Sequence, residues 1–201
     1  SVLTGDDYCA AGYGDIACGT MMPMLMGGQE GVQRPHGALV KDFVKCVGAP
    51  VAFVIAEKLE QAKDAAEMIE IDYDAMPAVT STAQARSGEG PLVWDDTDSN
   101  LSFTYKIGNV PGVEDAINNA AHVIKATIEN NRVNTNAIEP RASIGIYEKG
   151  EQKYTLYGGN QGPNRVREEI AHELLKVSET KLQVISPDVG GGFGMKGSSY
   201  G

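Results

Sequence analysis

The 201 residues, 42% of them hydrophobic, suffice to bury the core of one large domain or two small ones. With 17 basic against 27 acidic residues the formal charge is -10, which excludes a partner held by its phosphate backbone, because such partners need clustered Lys and Arg. No apolar run reaches the roughly 18 residues of a membrane span and no charged-then-apolar leader precedes Ser1, so the expectation is a soluble, cytoplasmic chain with no nucleic acid and no membrane span.

Residues 1–37 hold turn formers (Gly5-Asp6-Asp7, Gly12, Gly14, Gly27-Gly28) and the methionines Met21, Met22, Met24 and Met26 around Pro23, without sustained periodicity. They read as loop, with the methionines as adaptable gap-fillers. Cys9, Cys18 and Cys46 lack C-x-x-C spacing and read as free thiols; His36, His122 and His172 are scattered over different elements, so no metal is assigned to side chains.

From Ala38 the pattern sharpens. Residues 38–45 (ALVKDFVK) and 50–56 (PVAFVIA) read as two strands joined at Gly48, the second buried. Leu59, Ala62, Ala66 and Ile69 recur at helical spacing, and Glu70 to Tyr73 returns as a strand, which makes an α/β domain over 1–87. Gly, Pro, Asp and Ser around Trp94 mark 88–104 as a linker.

A β-rich second domain is expected over 105–201. It opens with a helix whose stripe is Val113, Ala116, Ile117 and Ala120, followed by a strand in HVIKATIEN. Residues 142–147 and 153–157 form strands in hairpin order around Lys149-Gly150. Asn164 is placed to cap a helix with buried face Val166, Ile170 and Leu174. The fold class is therefore α+β.

The stretch that promises chemistry is residues 188–196, DVGGGFGMK. Lys181 to Ser186 alternates like a half-buried strand, Pro187 ends its pairing, and the glycines leave it into a turn where positive φ is available and backbone N–H groups can form an anion-binding nest. Gly192, Gly194 and Gly197 fit G-x-G-x-x-G, but the dinucleotide reading also needs a following helix and an acidic residue, and a P-loop needs Gly-Lys-Ser/Thr; neither is present. Gln161 lies at a strand-to-helix crossing among Gly158, Gly159 and Gly162, where its amide could hold an oxo ligand or simply tie the turn. Glu139-Pro140-Arg141 reads as a buried, mutually satisfied ion pair across a fixed-φ residue, and Asp188 as a cap for N–H groups of the glycine turn.

VGGGFGMK, GGNQGPNRVREEIA with Gln161, and Ile138-Glu139-Pro140-Arg141, in that family's order along the chain, together resemble the large subunit of the molybdenum hydroxylases. These are the xanthine dehydrogenase, aldehyde oxidase and aerobic carbon monoxide dehydrogenase relatives. The resemblance covers essentially the whole chain. It implies a hammerhead-type α/β domain over 1–87, then the β-rich first part of a molybdopterin-binding domain over 105–201. It also implies that Gln161 hydrogen-bonds an oxygen on molybdenum while Gly191, Gly192, Phe193 and Gly194 contact the metal's ligands and the pterin, in its cytosine dinucleotide form.

The implied reaction hydroxylates an aldehyde or N-heterocycle, or oxidises carbon monoxide, with water as the oxygen source. Electrons would leave through iron–sulfur centres and FAD on partner subunits or domains of an oligomeric enzyme. The implied base, a glutamate, is expected beyond residue 201, so that the chain reads as a piece without a catalytic residue of its own, inactive by itself. The residues by themselves leave a second reading open, a non-catalytic anion-binding or scaffold module built on the glycine loop. No substrate is selected.

Overall fold

The computed structural model describes residues 1–16, 34–131 and 133–197. The methionine cluster 21–26 and Cys18 lie outside the described residues. Two small sheets organise the rest.

The first sheet pairs β1 (Val2–Thr4) with β2 (Ala52–Val54), antiparallel, with Leu3 opposite Phe53. Thr4 then caps α1 (Gly5–Ala10): both its backbone N–H and its hydroxyl donate to Asp7 Oδ2 at 2.8 Å. This reciprocal cap turns residues expected as loop into strand and helix. Residues 38–45, expected as a strand joined to β2 at Gly48, form none: β2 pairs with β1 instead, and Val40 N–H donates to Pro50 O. Nor is β2 buried, with Phe53 57% exposed.

The predicted helix is α2 (Leu59–Glu67), whose Ala62 and Ala66 line an open apolar hollow with Phe53 and Val54. Residues 70–73 belong to no helix or strand, so the strand expected there is absent. A helix not foreseen, α3 (Thr82–Ser87), starts where Ser81 Oγ accepts from Gln84 N–H and ends at Gly88 with φ +75°. Both ends carry ordinary cap signals, a Ser three residues before a Gln and a glycine able to adopt the left-handed conformation.

Residues 88–104 contain neither helix nor strand. Trp94 nevertheless anchors them, since Arg34 and Lys45 each lie 5.1 Å from its ring centre and Arg34 pairs with Asp96 at 2.7 Å. Asn109 caps α4 (Val110–Asn118) by accepting from Gly112 N–H. HVIKATIEN, expected as a strand, has no partner strand among the described residues and leaves Ile124 and Ile128 almost fully exposed.

The second sheet is the frame of the site. β3 (Ser143–Glu148) and β4 (Lys153–Gly158) form the predicted hairpin, and β5 (Leu182–Ile185) lies parallel to β4. Between β4 and β5 the chain crosses through α5 (Pro163–Glu169), which runs on into a π-turn at Ile170–Leu174. Pro163 occupies the first helical turn and Gly162 the cap, so Asn164 sits one step inside the helix and does not cap it. Val166, Ala171 and Leu182 are buried between helix and sheet. The two parts touch where Gly14 N–H donates to Leu174 O at 2.9 Å; a Cβ at Gly14 would collide with the neighbouring Glu173 carbonyl.

Candidate functional site

Because β4 and β5 run parallel, the chain leaves both at the same edge of the sheet. β4 delivers Gly159-Asn160-Gln161-Gly162 and β5 delivers Pro187 and the glycine run, so residues more than 30 apart in sequence converge there. This is the edge at which open α/β sheets bind ligands.

Asn160 fixes the first loop. Its Oδ1 accepts from Gly162 N–H at 3.2 Å, closing a local side-chain turn, and its Nδ2 donates to Gly158 O. Its own N–H and carbonyl are both held by the Ser186 hydroxyl at the end of β5.

Gln161 is then docked against the glycine loop. Its Oε1 accepts from Gly194 N–H at 2.9 Å and from Lys196 N–H at 3.2 Å, and its backbone N–H donates to Lys196 O at 2.9 Å. The absence of a side chain at Gly192 permits this, because a Cβ there would lie 2.6 Å from both Cδ and Oε1 of Gln161. Gly192 is therefore needed for close approach; the positive φ values belong to Gly191 (+99°), Phe193 (+48°) and Gly194 (+88°).

Phe193 is strained, a bulky residue in the left-handed region. Its ring lies over Gly191 and is 80% exposed, so it faces outward from the loop.

Internal hydrogen bonds leave few of the loop's donors for a ligand. Within the loop, the N–H groups of Gly190, Gly194, Met195, Lys196 and Gly197 all have internal acceptors. The nest is thus smaller than the glycine count suggests. Among the described residues, the consecutive N–H groups of Gly191, Gly192 and Phe193 and the amide NH2 of Gln161 donate to nothing. These donors suit an acceptor-rich ligand.

Glu139 does not behave as the sequence suggested. Its cation is Lys196, with Nζ 2.5 Å from Oε2, whereas Arg141 lies on the exposed surface. The same Oε2 accepts from Gly190 N–H at 2.8 Å, and the backbone N–H of Glu139 donates to Gly190 O. Hydrogen bonds from Lys196 and then Gly190 hold the Glu139 carboxyl below its ordinary value of 4.5. Asp188, expected to cap the loop, is exposed and makes no such bond; Glu139 occupies that role from 51 residues away.

Lys196, Asn160 and Ser186 were not singled out as site residues. Only the terminal position of Lys196 in the glycine run hinted at a role, and nothing local could have matched it with Glu139. Among the described residues, two hollows of the surface lie elsewhere, around β2, α2 and residues 70–79. Among the described residues, no helix is long and apolar enough to cross a membrane.

Comparison with known proteins places these motifs. Residues 93–201 match the model of the molybdopterin cofactor-binding domain, and residues 12–77 that of the aldehyde oxidase and xanthine dehydrogenase a/b hammerhead domain. The large subunit of nicotine 6-hydroxylase from Paenarthrobacter nicotinovorans is 32% identical over 95% of this chain, and the large chain of carbon monoxide dehydrogenase from Afipia carboxidovorans is 28% identical over 89%. The chain spans 22% and 23% of the length of those two relatives. Among solved structures, reconstituted carbon monoxide dehydrogenase from Oligotropha carboxidovorans superposes with a TM-score of 0.80 at 26% identity, over all of this chain and 25% of the other. Quinoline 2-oxidoreductase from Pseudomonas putida gives 0.71 at 27% identity, over 98% of this chain and 25% of the other.

Proposed function

The chain belongs to the molybdopterin-binding large subunits of the xanthine dehydrogenase and aldehyde oxidase family, and from this premise we propose that Gln161, Gly191, Gly192, Phe193 and Gly194 form one wall of the cofactor's cradle. The observation that carries the reading is the convergence, at one sheet edge, of the undonated Gln161 amide and the three free N–H groups at 191–193. A molybdopterin offers phosphate, pterin and metal-ligand acceptors, which this donor array fits. The glycine at 192 lets Gln161 lie against the loop.

When bound, the cofactor supplies the two-electron redox chemistry, and the protein binds, orients and shields it. Gln161 is pre-oriented for this, since its carbonyl oxygen is held twice and its NH2 is turned to a single remaining task. Phe193 offers an exposed apolar ring that would exclude water from one side of the bound group.

In this reading 1–87 is the hammerhead domain, 88–104 the linker, and 105–201 the first part of the cofactor domain, within a longer large subunit of an oligomeric, cytoplasmic enzyme. Its cofactor is the cytosine dinucleotide form, its electrons pass to iron–sulfur and FAD-bearing partners, and its substrate is an aldehyde, an N-heterocycle or carbon monoxide.

Metal and pterin analysis of the complete protein tests it. About one molybdenum and one pterin fluorophore per large subunit is the expected result. Bound phosphate with neither molybdenum nor pterin would instead support a plain anion-binding module.

A further inference from the structure

We propose that the Glu139–Lys196 ion pair is a positioning clamp, holding the glycine loop against Gln161 so that the free amide of Gln161 keeps one direction. The inference rests on the cradle reading above and adds two residues to it that do not themselves touch the cofactor.

Lys196 is engaged through both its side chain and its backbone. Lys196 is 2% exposed and holds three bonds at once: Nζ to Glu139, backbone N–H to Gln161 Oε1, and backbone O from Gln161 N–H. Glu139 meanwhile holds the other end of the loop, with Oε2 and its backbone N–H both engaged at Gly190. One carboxylate therefore ties residue 190 to residue 196, the two ends of the glycine run.

The surroundings are shaped around this pair. A Cβ at Gly159 would lie 3.1 Å from Glu139 Oε2 and 3.5 Å from Lys196 Nζ, and one at Gly190 would lie 2.6 Å from Glu139 Cβ. A lysine is rarely buried, since its ammonium must be paired to leave water. Such a position is costly to move and therefore suited to fixing geometry. The left-handed conformation of Phe193 requires the same support, because a strained backbone persists only where its surroundings over-determine it. Without the clamp, Gln161 regains its rotamer freedom and its amide loses a defined direction.

The test uses the complete molybdenum enzyme with Glu139→Gln, Lys196→Met and Gln161→Ala. Glu139→Gln keeps an acceptor for Gly190 and removes the charge, while Lys196→Met keeps length and apolar packing. In the molybdenum-loaded fraction, both clamp variants should shift the Mo(V) electron paramagnetic resonance signal as Gln161→Ala does, and combining Glu139→Gln with Gln161→Ala should add nothing. A wild-type signal in the loaded clamp variants, or fully additive shifts, would overturn the clamp.

If a clamp variant loads no cofactor, amide exchange in the cofactor-free protein decides. Exchange raised roughly tenfold in 188–197 and 158–163 alone supports the clamp; exchange equal to wild type, or raised throughout β3–β5, overturns it. Wild-type enzyme without molybdenum, or a Gln161→Ala signal identical to wild type, would overturn the cradle reading instead, and the exchange measurement would still decide the clamp.

Discussion

The sheet edge that carries Gln161 and the glycine run, and the N-terminal segment around β2 and α2, both contain apolar strand-like sequence and end up differently. Around β2 the ladder is three residues long, Phe53 and Leu59 face solvent, and residues 38–45 and 70–73 find no strand partner. At the glycine loop, by contrast, β4 is paired on both sides, and hydrogen bonds spanning 26 to 57 residues of sequence join three separate segments. Apolar periodicity alone does not make a packed strand. A strand requires a neighbour, and at the site the neighbour comes from distant sequence.

The contrast can be sharpened by removing side chains, and thermal unfolding of the complete protein should rank the effects. Leu182→Ala, at a buried position of β5, should cost about 2 to 5 kcal/mol. Gly190→Ala forces a methyl to within 2.6 Å of Glu139 Cβ and should cost about 1 to 3 kcal/mol, with most of the disturbance in the loop. Ser81→Ala removes the α3 cap and should cost about 1 kcal/mol. Leu59→Ala, at a position 65% exposed, should stay within about 0.5 kcal/mol. A Leu59 cost equal to that of Leu182 would break the comparison.

Acid supplies a further contrast. Glu139 is held below its ordinary value of 4.5 by Lys196 and Gly190, so the folded state favours its charged form. Its contribution is present above that ordinary value and is lost as pH falls through the lowered one. Wild type should therefore lose stability in that acid range more steeply than Glu139→Gln, and identical slopes in acid unfolding would contradict the pair.

Much of the site was legible because its signals are local. Glycines at 190–192 and 194 announce a turn with close approach, and the β3–β4 hairpin and β5 follow from alternation and a turn at Lys149-Gly150. The α3 helix is equally local, signalled by Ser81, Gln84 and Gly88. What could not be read is what depends on distant sequence: Glu139 meeting Lys196 in place of Arg141, Ser186 holding Asn160, and Thr4 and β1 taking the place beside β2. Periodicity also promised strands at 70–73 and in HVIKATIEN, where the hydrophobic face exists but no partner strand does.

The central claim is that Gln161 and the glycine loop form one wall of the molybdopterin cradle, and the most direct test is cofactor content after Gly192→Ala. A methyl at 192 would lie 2.6 Å from Gln161 Oε1 and displace the amide from the loop, while β3, β4, β5 and α5 keep their own bonds. The account predicts molybdenum and pterin reduced by about tenfold in complete Gly192→Ala protein, a loss of roughly 1.4 kcal/mol in retention, with circular dichroism unchanged. Normal molybdenum and pterin content in that variant would contradict it.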